Sequence, residues 1–268
     1  MRTRAITGFI FVIVMLASVL SGLYAFTAFL LILSTLTLEE FYRLLKHADI
    51  EPNKIFGLAI AAALFLVVSL FFINGADLIY LLSVIPLMFL VVVSELYRKK
   101  TMPFHNIAYT LFGILFVTLP FCLFYALAFT GGQYSFVYPL AFLILLWASD
   151  TGAYLFGISF GKNKLFERHS PKKTWEGFAG GLLTSLIAAG ILSIYFKELD
   201  LYHWMALSTI IVIAGSFGDL AESMLKRNLS VKDSGSLLPG HGGLLDRFDG
   251  LLLAAPLVFV YLQFIRLF

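Results

Sequence analysis

The chain has 268 residues, of which 60% are hydrophobic and only 13% are charged, and its formal net charge is +3. A soluble domain carries about twice that charged fraction, so the composition excludes an ordinary soluble protein and predicts a polytopic membrane protein. The small net charge gives no indication of nucleic-acid binding, and the one cysteine, Cys122, excludes an internal disulfide.

Nine hydrophobic stretches predict membrane-spanning helices, because a spanning helix needs about 20 largely apolar residues. They cover residues 5–21, 23–38, 55–73, 77–94, 104–126, 136–157, 176–196, 202–222 and 250–267. The first stretch resembles a signal peptide, but another apolar run follows it at once, which favours a retained span. The sequence therefore predicts an all-α fold in a single transmembrane domain over residues 1–268.

Residues 39–53 are polar and partly amphipathic, and they separate the second and third predicted spans. We expect a short helix there that lies along the inner membrane interface and has no functional role. Residues 1–100 form an N-terminal helical part without a motif. The candidate active site falls in residues 136–268.

The lysines and arginines fall almost entirely on one side of the predicted membrane. With the N-terminus in the cytoplasm, 17 of the 19 lie in the inner segments 1–4, 39–54, 95–103, 158–175 and 223–249. Cytoplasmic loops of membrane proteins are enriched in these residues. We therefore expect a cytoplasmic N-terminus and, with nine spans, a C-terminus outside. The expected location is the cell membrane, with the active site facing the cytoplasm.

The most informative stretch runs from Ser223 to Asp249, where acids, bases and a glycine-rich turn lie between two strongly hydrophobic runs. Ionisable groups near hydrocarbon are costly and usually mark a functional site. The eighth predicted span leads into it with polar residues at the three-and-four spacing of one helix face. They are Gly215, Ser216, Asp219, Glu222, Ser223, Lys226 and Arg227. Pairing with Lys226 would account for Glu222 but not for the deeper Asp219.

Asp246 and Asp249 precede the ninth predicted span and share a helix face if the helix has already begun. One of them could be a cap, since acids are favoured at a helix N-terminus. Two acids facing Asp219 across a basic loop are more typical of oxygen ligands for Mg²⁺. We therefore predict Asp219, Asp246 and Asp249 as metal ligands.

A glycine-rich turn at residues 239–243 precedes these acids. The backbone N–H groups of Gly242 and Gly243 could bind an anion, although other glycine-rich turns look similar. His241 could contact phosphate, act in proton transfer or serve only the structure.

Two lysines, Lys172 and Lys173, flank an expected helix start at Ser170 or Thr174. A helix N-terminus beside two bases is typical of an anion-binding site, but also of a positively charged inner flank. Asp150 lies within the sixth predicted span and needs a partner, because a lone carboxylate in lipid is costly.

These motifs resemble those of the phosphatidate cytidylyltransferases, or CDP-diacylglycerol synthases. The long signature reads Ser223-x-x-Lys226-Arg227, then Lys232-Asp233, then Pro239-x-His241-Gly242-Gly243 and Asp246-Arg247-x-Asp249. Residues 149–154 and 170–177 are similar to that family too. The resemblance covers the C-terminal part of the chain without a departure, whereas the first four predicted spans match no motif.

The resemblance implies transfer of CMP from CTP to phosphatidate, a membrane lipid, giving CDP-diacylglycerol and pyrophosphate in phospholipid biosynthesis. It implies one or two Mg²⁺ ions, beside which a monovalent cation could bind. Phosphatidate is a phosphate monoester with a second pKa of about 6, so it is already a nucleophile at neutral pH. On this basis catalytic roles go to Asp219, Asp246, Asp249, Lys226 and Ser223. Substrate binding goes to Lys172, Lys173, Arg227, Lys232, His241, Gly242, Gly243, Arg247 and Asp150.

Other functions predict different products. A CTP-dependent lipid kinase uses similar chemistry and would release CDP. A CDP-alcohol phosphotransferase is disfavoured, because its spaced pattern of aspartates is absent from the sequence. A secondary transporter also buries acids among broken helices, but no paired spans with matching interruptions are found. The many small residues in the spans favour a homodimer.

Overall fold

The structure, a computed structural model, describes residues 2–235 and 242–267. Ten α-helices follow one another within these ranges: α1 Arg2–Leu20, α2 Leu23–Leu44, α3 Lys54–Asn74, α4 Val84–Arg98, α5 Pro103–Gly113, α6 Leu119–Leu127, α7 Val137–Phe160, α8 Trp175–Tyr195, α9 Leu201–Asn228 and α10 Leu245–Leu267. Short 3₁₀ turns lie at Leu45–Ala48 and Leu78–Ser83, and a π-helical turn at Ile114–Thr118 joins α5 to α6. The predicted all-α membrane fold is confirmed.

Among the residues that the structure describes, eight helices are long and apolar enough to cross a membrane. They are Leu23–Ala48, Lys54–Asn74, Ile79–Arg98, Pro103–Leu127, Val137–Phe160, Trp175–Tyr195, Leu201–Asn228 and Leu245–Leu267. The first predicted span corresponds to α1, whose apolar part Thr7–Leu20 is shorter than these. The number nine and the side of the membrane on which each terminus lies therefore stay predictions.

The structure does not form a separate helix over residues 39–53, so that expectation is wrong: residues 39–44 continue α2 and Leu45–Ala48 form the 3₁₀ turn. Phe41 and Tyr42 are fully buried, and the Tyr42 hydroxyl donates to the Thr110 carbonyl at 2.6 Å. The tyrosine ring fills hollows at Gly57 and Gly113, where a Cβ would lie within 2.5–2.6 Å of it. Burial of these aromatic side chains packs the end of α2 against α3 and α5.

A two-stranded antiparallel hairpin, β1 Lys164–Phe166 and β2 Ser170–Thr174, connects α7 to α8. The sequence did not indicate it. Thr174 starts α8 as expected, because its Oγ1 accepts a hydrogen bond from the Gly177 amide at 3.1 Å. The Glu176 carboxylate accepts from the Lys162 and Asn163 amides and so closes the hairpin against the helix.

Glycines let the helices of the C-terminal half approach closely. A Cβ on Gly218 of α9 would overlap the carbonyl oxygen of Asp249 on α10. Gly250 of α10 lies against Gly215 of α9, where a Cβ would be 3.5 Å from the Gly215 Cα. Small residues permit such close packing of membrane helices. As a result, the polar stripe of α9 lies directly beside the start of α10.

Candidate active site

A cavity of about 560 Å³ opens where α7 and α9 end and α8 and α10 begin. Its charged lining residues are Asp150, Lys172, Lys173, Asp219, Asp246, Arg247 and Asp249. Its apolar wall includes Phe11 and Val12 of α1, Leu146 and Trp147 of α7, and Ile211 and Val212 of α9. The cavity therefore joins a charged side to an apolar side, within the size range of ligand pockets.

Asp219 links α9 to the hairpin. The Lys173 Nζ lies 2.6 Å from Asp219 Oδ2, and the Ser223 hydroxyl donates to Asp219 Oδ1 at 3.3 Å. The Asp219 side chain is 38% exposed, so a ligand in the cavity can reach it. Lys173 comes from strand β2, so the hairpin supplies the counter-charge to the acid on α9.

Asp249 lies beside Asp219 and Asp150. One Asp249 oxygen accepts a hydrogen bond from the Gly250 amide at 2.7 Å. The negative charges of Asp219 and Asp150 act on Asp249, and Lys173 opposes them. Three carboxylates thus meet at one cavity in mutual repulsion, which a bound cation or cationic group would relieve.

Asp246 has a different environment, although it also touches the cavity. Lys226 lies between Asp246 Oδ1 and Glu222 Oε2, at 2.6 Å from each. The other oxygen of Asp246 accepts from the Ser234 amide at 3.0 Å and from the Gly243 amide at 2.9 Å. Its carboxylate is therefore engaged with protein groups on both oxygens.

This arrangement bears on the predicted metal site. Within residues 2–235 and 242–267, no three histidine, cysteine or acidic side chains are grouped so that they could hold a metal ion as they stand. Asp246 also lines the cavity, but Lys226 and two backbone amides engage its oxygens, whereas Asp219 and Asp249 share the cavity with Asp150. The structure thus does not gather the predicted set of Asp219, Asp246 and Asp249 around one point, and their role as ligands stays a prediction.

The predicted anion-binding residues are distributed unevenly. Lys172, Lys173 and Arg247 line the cavity. Of the described residues, Ser223, Lys226, Arg227 and Lys232 are not among those that line it. Arg227 is exposed and donates to the Val231 carbonyl at 3.3 Å, and Lys232 is exposed as well.

The predicted glycine-rich turn lies partly outside the described residues, which exclude His241. Gly242 has a φ of 79°, a left-handed conformation that favours glycine. The Gly243 amide donates to Asp246. In the structure it therefore holds an acid of the chain, in place of the anion expected from the sequence.

The first two helices contribute groups that the sequence did not indicate. Thr7, Gly8, Phe11 and Val12 of α1 form part of the cavity wall. Glu40 of α2 is 6% exposed and bonds to the segments on either side of the glycine-rich turn. The signal for Glu40 was an acid beside buried aromatic residues, whereas the apolar pattern of α1 carried none.

Comparisons with known proteins agree with the motifs. A model of the cytidylyltransferase family matches residues 2–265. A phosphatidate cytidylyltransferase of Staphylococcus aureus is 37% identical over 265 residues, covering 98% of this chain and 99% of the relative. Those of Staphylococcus haemolyticus and Staphylococcus epidermidis are each 36% identical, with the same coverage. The resemblance found in the C-terminal motifs is confirmed and extends over the first spans, so this chain belongs to the cytidylyltransferase family.

Proposed function

We propose that this protein is a phosphatidate cytidylyltransferase, which transfers CMP from CTP to phosphatidate and forms CDP-diacylglycerol and pyrophosphate. One observation carries the proposal beyond family membership. A single cavity brings carboxylates from α7, α9 and α10 together with bases from the hairpin, against an apolar wall. A nucleotide and a lipid phosphate need such a two-sided site.

The cavity suits both substrates. Lys172, Lys173 and Arg247 can neutralise phosphate charge on its polar side. Phe11, Val12 and Leu146 offer an apolar surface to the lipid. The reaction must bring two polyanions into contact, so charge neutralisation and alignment supply most of the catalysis.

The chemical step needs no proton acceptor from the protein. A phosphate oxygen of phosphatidate, largely dianionic at neutral pH, attacks the α-phosphorus of CTP. A new P–O bond forms, the bond between the α- and β-phosphates breaks, and its electron pair leaves with pyrophosphate. The lysines on the hairpin hold the phosphates in line for this exchange.

Ser223 and Lys226 act through other residues. Ser223 donates to Asp219 and orients it. Lys226 fixes Asp246 and Glu222, and it would reach a substrate only after leaving them. Arg227 and Lys232 are exposed near the entrance to the turn and stay predicted phosphate contacts.

Asp219 and Asp249, with Asp150 beside them, are the residues that would hold magnesium, because their carboxylates share one cavity and repel one another. When bound, the ion supplies charge neutralisation for the phosphates. Asp246 stays the third predicted ligand, although Lys226 and two backbone amides occupy its oxygens.

We place the cavity at the cytoplasmic side of the cell membrane, because the predicted inner segments hold 17 of the 19 lysines and arginines. CTP then enters from the cytoplasm and phosphatidate enters sideways from the inner leaflet. The predicted homodimer can be checked by light scattering of the purified protein.

Pyrophosphate release by the purified protein tests the function. We expect release only when CTP, phosphatidate and Mg²⁺ are all present. Asp219→Asn should lower the rate by about 10²-fold or more, because it removes a charge that faces the substrates. CDP formation with a lipid alcohol would instead identify a kinase. If folded wild-type protein forms neither product, the proposal is contradicted.

A further inference from the structure

Glu40 lies on α2, far from the signature in sequence, yet its carboxylate contacts the segments on both sides of the glycine-rich turn. Its Oε1 accepts hydrogen bonds from the Ser234 hydroxyl at 2.6 Å and from the Leu245 amide at 2.9 Å. Its Oε2 accepts from the Leu244 amide at 2.9 Å. A buried carboxylate thus receives three hydrogen bonds from the signature segment.

Two of these donors belong to the start of α10. The helix begins at Leu245, so the Leu244 and Leu245 amides have no carbonyl partner within it. A negative charge is also favourable at the N-terminal end of a helix dipole. A cap normally comes from the residue next to the helix, whereas Glu40 lies 204 residues before Leu244.

Two glycines indicate that the segment is shaped to receive this side chain. A Cβ on Gly243 would overlap Glu40 Oε1, and a Cβ on Gly235 would lie 2.7 Å from Glu40 Oε2. The carboxylate therefore occupies a space that exists because both residues lack side chains. Residues on either side of the turn, at 235 and at 243, share this fit.

We infer that Glu40 is a positioning residue of the active site, which caps α10 from across the molecule and so fixes Asp246 and Asp249 relative to α9. The Gly243 and Ser234 amides that hold Asp246 belong to the segment that Glu40 holds. Asp249 follows one turn further along α10. The expected loss of turnover rests on the proposed function, whereas the contact between Glu40 and the start of α10 does not.

Glu40→Gln tests this role with little change in shape. The glutamine side chain keeps one oxygen that accepts hydrogen bonds. Its NH₂ group replaces the other oxygen and faces an N–H or O–H donor of the protein. We expect kcat per folded molecule to fall roughly 10- to 100-fold, as for a small displacement of catalytic groups. Hydrogen exchange should speed up at the Leu244 and Leu245 amides and stay unchanged in α7 and α8.

Glu95→Gln is the matched control. Glu95 is also a buried acid of the N-terminal half, at 4% exposure, but it bonds to Arg98 and Asn106. We expect it to lower the yield of folded protein while leaving kcat and the exchange at Leu244 and Leu245 as in the wild type. If Glu40 only stabilised the fold, Glu40→Gln would also lower the yield of folded protein and leave kcat and the exchange at Leu244 and Leu245 unchanged.

The outcomes separate this inference from the proposed function. Wild-type kcat and exchange in Glu40→Gln, or a loss no greater than that of Glu95→Gln at equal folded fraction, would overturn it. Without turnover in the wild type the proposed function fails, and the exchange data alone still decide the capping role. If Glu40→Gln does not fold, Ser234→Ala removes one of the three bonds, and unchanged exchange at Leu245 would then overturn the inference.

Discussion

Two acids at the start of α10 lie in contrasting surroundings. Asp246 belongs to an anchor cluster, which we define as Glu40, Glu222, Lys226 and Asp246. Asp249 belongs to the cavity acids, which we define as Asp150, Asp219 and Asp249. Both groups include residues of α9 and α10, but they differ in how their acids are bonded and in access.

The anchor cluster is buried, and its one base, Lys226, bonds to two of its three acids. The side chains of Glu222, Lys226 and Asp246 are only 1%, 13% and 10% exposed, and the lysine contacts both acids. The cavity acids repel one another, and Lys173 bonds to one of them, while Lys172 and Arg247 line the same open cavity. The comparison indicates that the anchor cluster holds the helices in place, whereas the cavity acids are arranged for a ligand at a cost in stability.

The largest effect is expected from Asp249→Asn. This change removes a cavity charge, so turnover should fall by about 10³-fold. Because it also relieves repulsion from Asp219 and Asp150, the thermal stability in detergent should stay equal or rise. The measurements are pyrophosphate release and the melting temperature without substrates.

Asp246→Asn, three residues earlier on α10, sharpens this prediction. It should lower the melting temperature, because Lys226 loses a partner and the backbone amides at 234 and 243 lose a charged acceptor. Equal stability in the two variants would contradict the distinction between the anchor cluster and the cavity acids.

Lys226→Met should have the second largest effect, which is a loss of stability. It leaves Glu222 and Asp246 buried without their common counter-charge, and breaking such a buried pair costs roughly 3–5 kcal/mol. Thermal unfolding in detergent measures this loss. Lys164→Met, on the exposed strand β1, is the control and should leave stability unchanged. If the Lys226→Met protein is folded and stable but loses turnover, Lys226 binds the substrate, as the sequence predicted.

The sequence predicted the fold and much of the site for physical reasons. Lipid restricts spanning segments to helices, so hydropathy found the helices of the described structure. Helical spacing predicted the stripe that contains Asp219, Ser223 and Lys226, and topology predicted that Asp249 would meet it. The family followed from the spacing of the signature.

The remaining features depend on contacts between segments distant in sequence. Spacing placed Asp246 and Asp249 on one face, but it could not show that Lys226 and two amides engage the first acid. The hairpin at 164–174 has few of the alternating apolar residues by which a strand is detected. Glu40 was expected to have no functional role, because its partners lie about two hundred residues further along the chain.

Gly218→Ala tests the contact that brings the two groups together, and its expected effect is the smallest. The added Cβ would overlap the Asp249 carbonyl oxygen and push α9 away from α10. Overpacking of this kind costs about 1–3 kcal/mol, and a shift of the cavity acids should lower turnover by about 10-fold or more. Gly190→Ala on α8 is the control, since its Cβ would lie 3.6 Å from the Met205 Cε, an ordinary contact. Equal turnover in both variants would show that the position of Asp249 does not depend on the close approach of α9.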